Sequence, residues 1–219
     1  MSAGDEPARP RVPGPRRVGG DGEPEVFVAD EQHAVELDLA RWSALAEQVL
    51  AAEGVRGGTE LSLLFVGEDE IAELNQRFLG GSGPTDVLAF PIDAEEADVL
   101  TGRDPGLSGP DRSPPDPSEQ LLLLGDVVVC PAVAARNAAT HAGTLDDELA
   151  LLVVHGILHV LGHDHGDDAE RARMQARERE LLEALHWHGP APAGFRHEHV
   201  DVDEAAPDAP RPPTQEEPA

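Results

Sequence analysis

The stretch His155-Gly156-Ile157-Leu158-His159-Val160-Leu161-Gly162-His163-Asp164-His165 holds four of the chain's 10 histidines in mostly apolar surroundings. Upstream, Thr144 followed three residues later by Asp147 has the pattern of a capping box, which marks the start of a helix. The nearly continuous apolar run over 149–161 predicts a helix that is buried on all sides. Gly162 predicts its end, because glycine readily adopts the left-handed conformation at a helix C-terminus.

The spacing of these histidines predicts a metal site. His155 and His159 fall on one helix face with their Cβ atoms about 6 Å apart, and a turn at Gly162 would return His165 as a third ligand, as in the long zinc-protease motif. Three imidazoles leave one coordination position open, as in catalytic zinc sites. The alternative, ordinary buried histidines, is disfavoured because unpaired polar groups are costly among Leu, Val and Ile. We predict one Zn²⁺ per chain, although Ni, Co and Cu suit the same donors.

One position departs from the zinc proteases. Those enzymes carry a glutamate directly after the first histidine, where it acts as general base. The corresponding position here is Gly156. The sequence therefore argues against an ordinary member of that protease class.

The histidine stretch resembles the signature of the YbeY family, bacterial endoribonucleases of rRNA maturation. Further stretches agree with the family in order: Glu60-Leu-Ser-Leu-Leu-Phe-Val66, Leu74-Asn75, Gly83-Pro-Thr-Asp-Val-Leu-Ala-Phe-Pro91 and Leu124-Gly-Asp-Val-Val-Val129. The resemblance covers about residues 25–189. The combination of the histidine motif with the Pro-Thr-Asp-Val-Leu segment is specific to it.

This resemblance implies a small mixed sheet with helices around it and a zinc-protease-like metal helix. It implies a zinc-dependent, single-strand-specific endoribonuclease in 3′-end maturation of 16S rRNA and in ribosome quality control. Its partners would be rRNA in pre-ribosomal or ribosomal particles and a ribosomal protein or GTPase. Zinc lowers the pKa of water to about 7, and either that water or the ribose 2′-OH could attack phosphorus. The alternatives are a divergent metallopeptidase and a non-catalytic, metal-stabilised ribosome assembly factor.

Candidate catalytic residues beyond the three histidines are weak. Many YbeY proteins carry an arginine where this chain has Leu79, and Arg77, two residues earlier, is only a weak substitute. Asp164 is a turn former or a hydrogen-bond acceptor for a ligand histidine, and a weaker candidate for proton transfer. We expect His163 in a pocket wall and Met174 in the core.

Composition bounds the class of protein. The 219 residues suit one domain with tails. The net charge is −27, and all 16 basic residues are arginines, so the isolated protein should bind RNA weakly. The single cysteine, Cys130, excludes an internal disulfide and is expected in the core. Without a signal peptide or an apolar run near the ~20 residues that cross a membrane, we expect a cytoplasmic protein that contacts no membrane.

The pattern of elements predicts an α+β fold with about four strands and five helices. Disorder is predicted for an N-terminal arm, 1–24, and for an acidic Pro-rich tail, 190–219, with a mobile acidic insertion at 93–118. The histidines near the C-terminus, His186, His188, His197 and His199, are expected to be exposed. Strands are predicted at 25–29, 61–66, 87–90 and 121–130, and helices at 37–52, 68–78, 131 to about 141, 145–161 and 168 to about 186.

Overall fold

A computed structural model describes residues 24–92, 122–163 and 167–197. The strands are β1 (Glu25–Asp30), β2 (Thr59–Phe65), β3 (Val87–Pro91) and β4 (Leu122–Val129). The helices are α1 (Leu39–Ala52), α2 (Glu68–Leu74), α3 (Pro131–Asn137), α4 (Leu145–Val160) and α5 (Asp168–Leu185), with a π-helical segment, Asn75–Leu79, after α2. Four strands and five α-helices within these ranges confirm the predicted α+β class.

Several predictions fall outside the described residues. They concern almost all of the N-terminal arm, the insertion at 93–118 and the tail from residue 198 onward. Asp164 and His165 also lie outside. Within the described ranges, no helix is both long enough and apolar enough to cross a membrane.

The sheet is mixed, with strand order β1-β2-β4-β3. The first three strands are parallel, and β3 runs antiparallel to β4. Because side chains alternate along a strand, β4 contributes to two cores. Val127 and Val129 face the larger core, with α1, α4 and α5, while Val128 joins Cys130 in a smaller core with α2 and α3. The thiol of Cys130 is fully buried, as predicted, and desolvation raises its pKa.

Helix α4 begins and ends where the sequence predicts. The hydroxyl of Thr144 accepts from the backbone N–H of Asp147 at 3.1 Å. At the other end Gly162 has φ 90°, its N–H donates to the carbonyl of His159, and that of His163 donates to the carbonyl of Leu158. These two bonds form a Schellman motif, which satisfies the last carbonyls of the helix.

Close packing between α4 and the sheet depends on Gly156. A Cβ at this position would lie 2.5 Å from Cγ1 of Val127 and 3.4 Å from Cγ2 of Val87. Val127 is fully buried on the central part of the sheet, and its β-branched side chain has little rotamer freedom. The absence of a side chain at Gly156 therefore sets how closely the helix approaches β4.

Two predicted helices differ in extent. The helix from Pro131 ends at Asn137 rather than near His141, since residues 138–143 form turns in which Gly143 has φ 101° and donates to the carbonyl of Ala138. The helix predicted at 68–78 continues through residue 79, but its last five residues are π-helical. Gly80, at φ 72°, ends that segment.

The C-terminal part of the chain packs against the domain beyond residue 189. Phe195 belongs to the larger core, and the N–H of Arg196 donates to the carbonyl of His141. The expectation that His186 and His197 are exposed is wrong: their side chains are only 8% and 12% exposed. The predicted tail therefore begins too early, because aromatic packing by Phe195 is not visible as a periodic pattern.

Asp147 ties the start of α4 to the end of α5. Its carboxylate accepts from the Trp187 indole at 2.6 Å and contacts Nε2 of His186 at 2.8 Å. Burial alone would raise the pKa of this carboxyl. Hydrogen bonds from Thr144, Trp187 and His186 outweigh burial and lower the pKa below the ordinary 3.8.

We predict that Gly156→Ala destabilises the fold. Alanine is the better helix former by about 1 kcal/mol, but overpacking against Val127 should give a net loss of about 1–3 kcal/mol in the free energy of unfolding. Urea unfolding measures it. In a Val127→Ala background the same substitution should cost less, because the clashing methyl is gone. A Gly156→Ala protein as stable as wild type would contradict the close approach.

We also predict that Asp147→Asn lowers the free energy of unfolding and makes it less dependent on pH in the acidic range. A lowered carboxyl pKa contributes stability above the unfolded pKa, and that stability is lost as the pH falls through the folded pKa. The substitution should cost about 1–3 kcal/mol at neutral pH, and the difference from wild type should shrink below about pH 4. Asp146→Asn, at a side chain 61% exposed, is the matched control and should cost little. An equal effect of both substitutions at all pH values would disprove this role.

Candidate metal centre

Helix α4 brings His155 and His159 together at a half-buried face. The residues around them, Gly156 to Leu158 and Val160, are buried, while both histidines keep partial access. Their Nε2 atoms lie 3.1 Å apart, and the ring centroids are 4.5 Å apart at an interplanar angle of 78°. The predicted placement of the pair on one helix face is thus confirmed, and both rings direct Nε2 to the same point.

The other nitrogen of His155 meets a buried carboxylate. Nδ1 of His155 lies 2.7 Å from Oε1 of Glu178 on α5. Glu178 has only 3% of its side chain exposed. An ionised Glu178 can only accept a hydrogen bond, and this contact then requires the proton of His155 on Nδ1. When the ring is neutral, this leaves the lone pair on Nε2, which is the tautomer that binds a metal through that atom.

The donors fit a zinc ion. Zinc–nitrogen bonds of about 2.0–2.1 Å in a tetrahedral site place two ligand nitrogens about 3.3 Å apart, close to the 3.1 Å observed. The same separation suits a hydrogen bond from Nε2–H of His159 to Nε2 of His155, and metal binding would displace that proton. In the described ranges no three His, Cys, Asp or Glu side chains form a metal-binding group, and His165 lies outside them.

The C-terminal segment reaches the same carboxylate. Nε2 of His197 lies 3.7 Å from Oε2 of Glu178, and its ring packs edge-on against Phe195 at 4.7 Å between centroids. Phe195 in turn packs on Trp187, and the guanidinium of Arg179 lies over the Phe195 ring. Glu178 therefore lies between one histidine of the metal helix and one of the C-terminal segment.

A second cluster supports the turn after α4. Oε1 of Glu53 accepts from Nε of Arg177 at 2.7 Å, and Oε2 lies 3.6 Å from Nε2 of His163. His163 and Arg177 lower the pKa of the Glu53 carboxyl. Burial of this carboxyl acts in the opposite direction but has the smaller effect. A separation of 3.6 Å is long for a hydrogen bond, so Arg177 is the closer partner. The side chain of His163 is 33% exposed.

The remaining sequence candidates have mixed outcomes. Met174 is buried in the core, as expected. Arg77 lies in the π-helical segment with its guanidinium 5.1 Å from the ring centroid of Phe78. Asp164 lies outside the described residues. If residue 156 were a glutamate, its Cβ would clash with the side chain of Val127. The position that holds the general base in the zinc proteases therefore packs against the sheet in this protein.

Sequence reasoning missed Glu178 and His197. Glu178 stands between Arg177 and Arg179, so it looks like part of a solvated helix face. The signal in the sequence was the spacing of Glu178 from the apolar residues of α5. Glu178 lies four residues after Met174, three before Leu181 and four before Leu182, and these four are the buried residues of the helix. A carboxylate in register with an apolar stripe predicts a buried partner.

Comparison with known proteins agrees with this architecture. The family model described as Endoribonuclease YbeY matches residues 27–186. Endoribonuclease YbeY of Salinispora tropica is 43% identical over 72% of this chain and 93% of its own length. Endoribonuclease YbeY of Acidothermus cellulolyticus is 43% identical over 73% and 90%.

Among solved structures, the solution structure of a Thermotoga maritima protein is 27% identical and covers 74% of this chain and 90% of that one, with a TM-score of 0.48. The fold class therefore follows from the strands and helices described above. The family model spans most of the chain, and the two curated relatives match nearly along their full length. The chain belongs to the YbeY family of endoribonucleases.

Proposed function

We propose that this protein is a zinc-dependent, single-strand-specific endoribonuclease that acts in 3′-end maturation of 16S rRNA and in ribosome quality control. His155, His159 and His165 would hold one zinc ion. The observation that carries the proposal is the convergence of Nε2 of His155 and His159 at 3.1 Å, with Glu178 on the far nitrogen of His155. The RNA substrate is inferred from the endoribonuclease family.

The residues of the chain would prepare the site for a metal. Glu178 would keep the proton of His155 on Nδ1, so that the lone pair of His155 that binds the metal is the one on Nε2. His155 is largely buried and His159 is partly buried, which would limit the access of water to the two imidazoles. When bound, zinc would polarise a phosphodiester oxygen and lower the pKa of water to about 7.

Electrostatics suggest that the protein does not find RNA by charge. The net charge is −27, and arginines in the described helices are engaged by carboxylates: Arg41 with Asp146, Arg136 with Glu68 and Arg177 with Glu53. In the part of the chain that the structure describes, these three guanidinium groups are thus paired with carboxylates rather than available to phosphates. We therefore propose that a ribosomal protein or a GTPase directs the enzyme to rRNA in pre-ribosomal or ribosomal particles.

Two other functions compete with this proposal. A metallopeptidase would need a carboxylate base, and the position that supplies it in the zinc proteases is Gly156, packed against Val127. A non-catalytic assembly factor would use the metal only for stability. A metal held by a helix and the following turn would stabilise the fold in either case, so activity must decide.

The first prediction here is metal content. Protein purified without an affinity tag should contain about one zinc per chain, and His159→Ala should lose it, as measured by elemental analysis. A chelator should lower the melting temperature of wild type but not that of His155→Ala.

The control is His188→Ala, because His188 is exposed and lies just after the C-terminal end of α5. This variant should keep both the metal and the response to chelator. Metal retained in full by His159→Ala, or an equal chelator effect in wild type and His155→Ala, would remove these histidines from the site.

The second prediction is RNA cleavage. Wild type should cleave single-stranded RNA in a metal-dependent manner, leave casein intact, and lose activity in His155→Ala/His159→Ala. Because few phosphates are contacted, affinity for free RNA should be weak and should fall only shallowly with salt. Metal-dependent cleavage of casein without cleavage of RNA would establish the peptidase instead.

A second experiment depletes the protein in cells and determines the 3′ end of 16S rRNA. Unprocessed 16S rRNA that is rescued by wild type and not by the double variant is the expected result. Equal rescue by both would favour the non-catalytic assembly factor. Mature 3′ ends throughout depletion would reject both ribosomal roles.

A further inference from the structure

We propose that Glu178 is the positioning residue of the metal centre: it holds His155 in the tautomer and orientation that direct Nε2 toward Nε2 of His159, and His197 steadies its other oxygen. This inference rests on the proposed zinc site and names a residue outside the histidine motif. The four side chains that it involves, those of His155, His159, Glu178 and His197, all lie in the described ranges.

Glu178 is built into the fold rather than placed at its surface. It occupies the buried stripe of α5 together with Met174, Leu181 and Leu182, which fixes its backbone against α4. Its Oε1 lies 2.7 Å from Nδ1 of His155, a short distance that is typical of a charge-assisted hydrogen bond. A buried carboxylate without such a partner would be strongly unfavourable, so the pair is mutually constraining.

His197 contributes from the opposite side. Its Nε2 lies 3.7 Å from Oε2 of Glu178, beyond hydrogen-bond distance but close enough for an electrostatic contact. Phe195 anchors this part of the chain in the core and holds the His197 ring edge-on. With one oxygen near each histidine, rotation of the carboxylate away from His155 is opposed.

The protein contains a matched acid–histidine pair that lies elsewhere on α4. Oε1 of Glu148 lies 3.1 Å from Nδ1 of His141, and Glu148 is completely buried. Its Oε2 accepts from the N–H of Ala142, so this pair secures the turn before α4. Glu148→Gln therefore reproduces the loss of a buried carboxylate beside an imidazole, away from His155 and His159.

The test compares Glu178→Gln with Glu148→Gln by zinc competition against a chromophoric chelator. Loss of such a supporting partner typically weakens metal binding by about 10–100-fold, and we expect Glu178→Gln to fall in this range. Glu148→Gln should destabilise the fold while binding zinc as wild type does. His197→Ala should weaken zinc binding less than Glu178→Gln. Equal zinc affinities in wild type and Glu178→Gln, or equal weakening by the two Glu→Gln variants, would overturn the proposal.

A second measurement needs no variant. Nitrogen-15 chemical shifts of the His155 ring in metal-stripped wild-type protein report which nitrogen carries the proton. At a pH where the ring is neutral, the expected tautomer has the proton on Nδ1. A proton on Nε2 would refute the role of Glu178 even if Glu178→Gln failed to fold.

These results are separable from the proposed nuclease activity. Zinc affinity and the His155 tautomer are measured without RNA. Weak zinc binding in Glu178→Gln, in a protein that cleaves no RNA, would retain the positioning role and reject the nuclease. If the protein cleaves RNA and Glu178→Gln binds zinc as wild type does, the nuclease is retained and the positioning role of Glu178 is rejected.

Discussion

Burial of α4 is the constraint on which the rest of the structure depends. Its apolar residues face β3, β4, α1 and α5, so the helix needs a layer on each side. The sheet provides one layer, and Gly156 allows the closest approach because Val127 fills the space that a side chain would take. When the helix is packed in this way, His155 and His159 are the only residues of its second half that keep partial exposure to solvent.

Acid–histidine pairs surround this helix. Asp147 meets His186, Glu148 meets His141, and Glu178 meets His155. In each case a carboxylate that is buried or nearly so has an imidazole within hydrogen-bond distance, because an unpaired charge in the core would be strongly unfavourable. Two of these pairs join chain segments outside the metal site. In the third pair, Glu178 contacts Nδ1 of His155, and Nε2 of the same ring faces His159. This pair therefore contributes to the stability of the fold and would also serve the proposed chemistry.

In the proposed function, other molecules rather than the charge of the protein itself would direct the enzyme to RNA. The 43 acidic residues outnumber the 16 basic ones, and several arginines form ion pairs. At the same time Phe27, Phe78 and Leu79 are largely exposed, and Phe78 packs on Phe90 of β3. In the proposed function the histidine site would thus supply chemistry, while recognition of the ribosomal particle would depend on protein contacts.

The sequence by itself determined what short-range physics encodes. The capping box at Thr144, the apolar run and the left-handed Gly162 predicted α4 and its ends, and the four-residue spacing placed His155 and His159 on one face. The tertiary structure decided the rest. It showed that the packing of α4 on β4 needs a glycine at position 156. It also showed that the buried Glu178 contacts His155 and that His197 approaches the same carboxylate. These facts depend on how α4, α5 and the C-terminal segment dock, and contacts between residues far apart in the chain leave no local periodic signal.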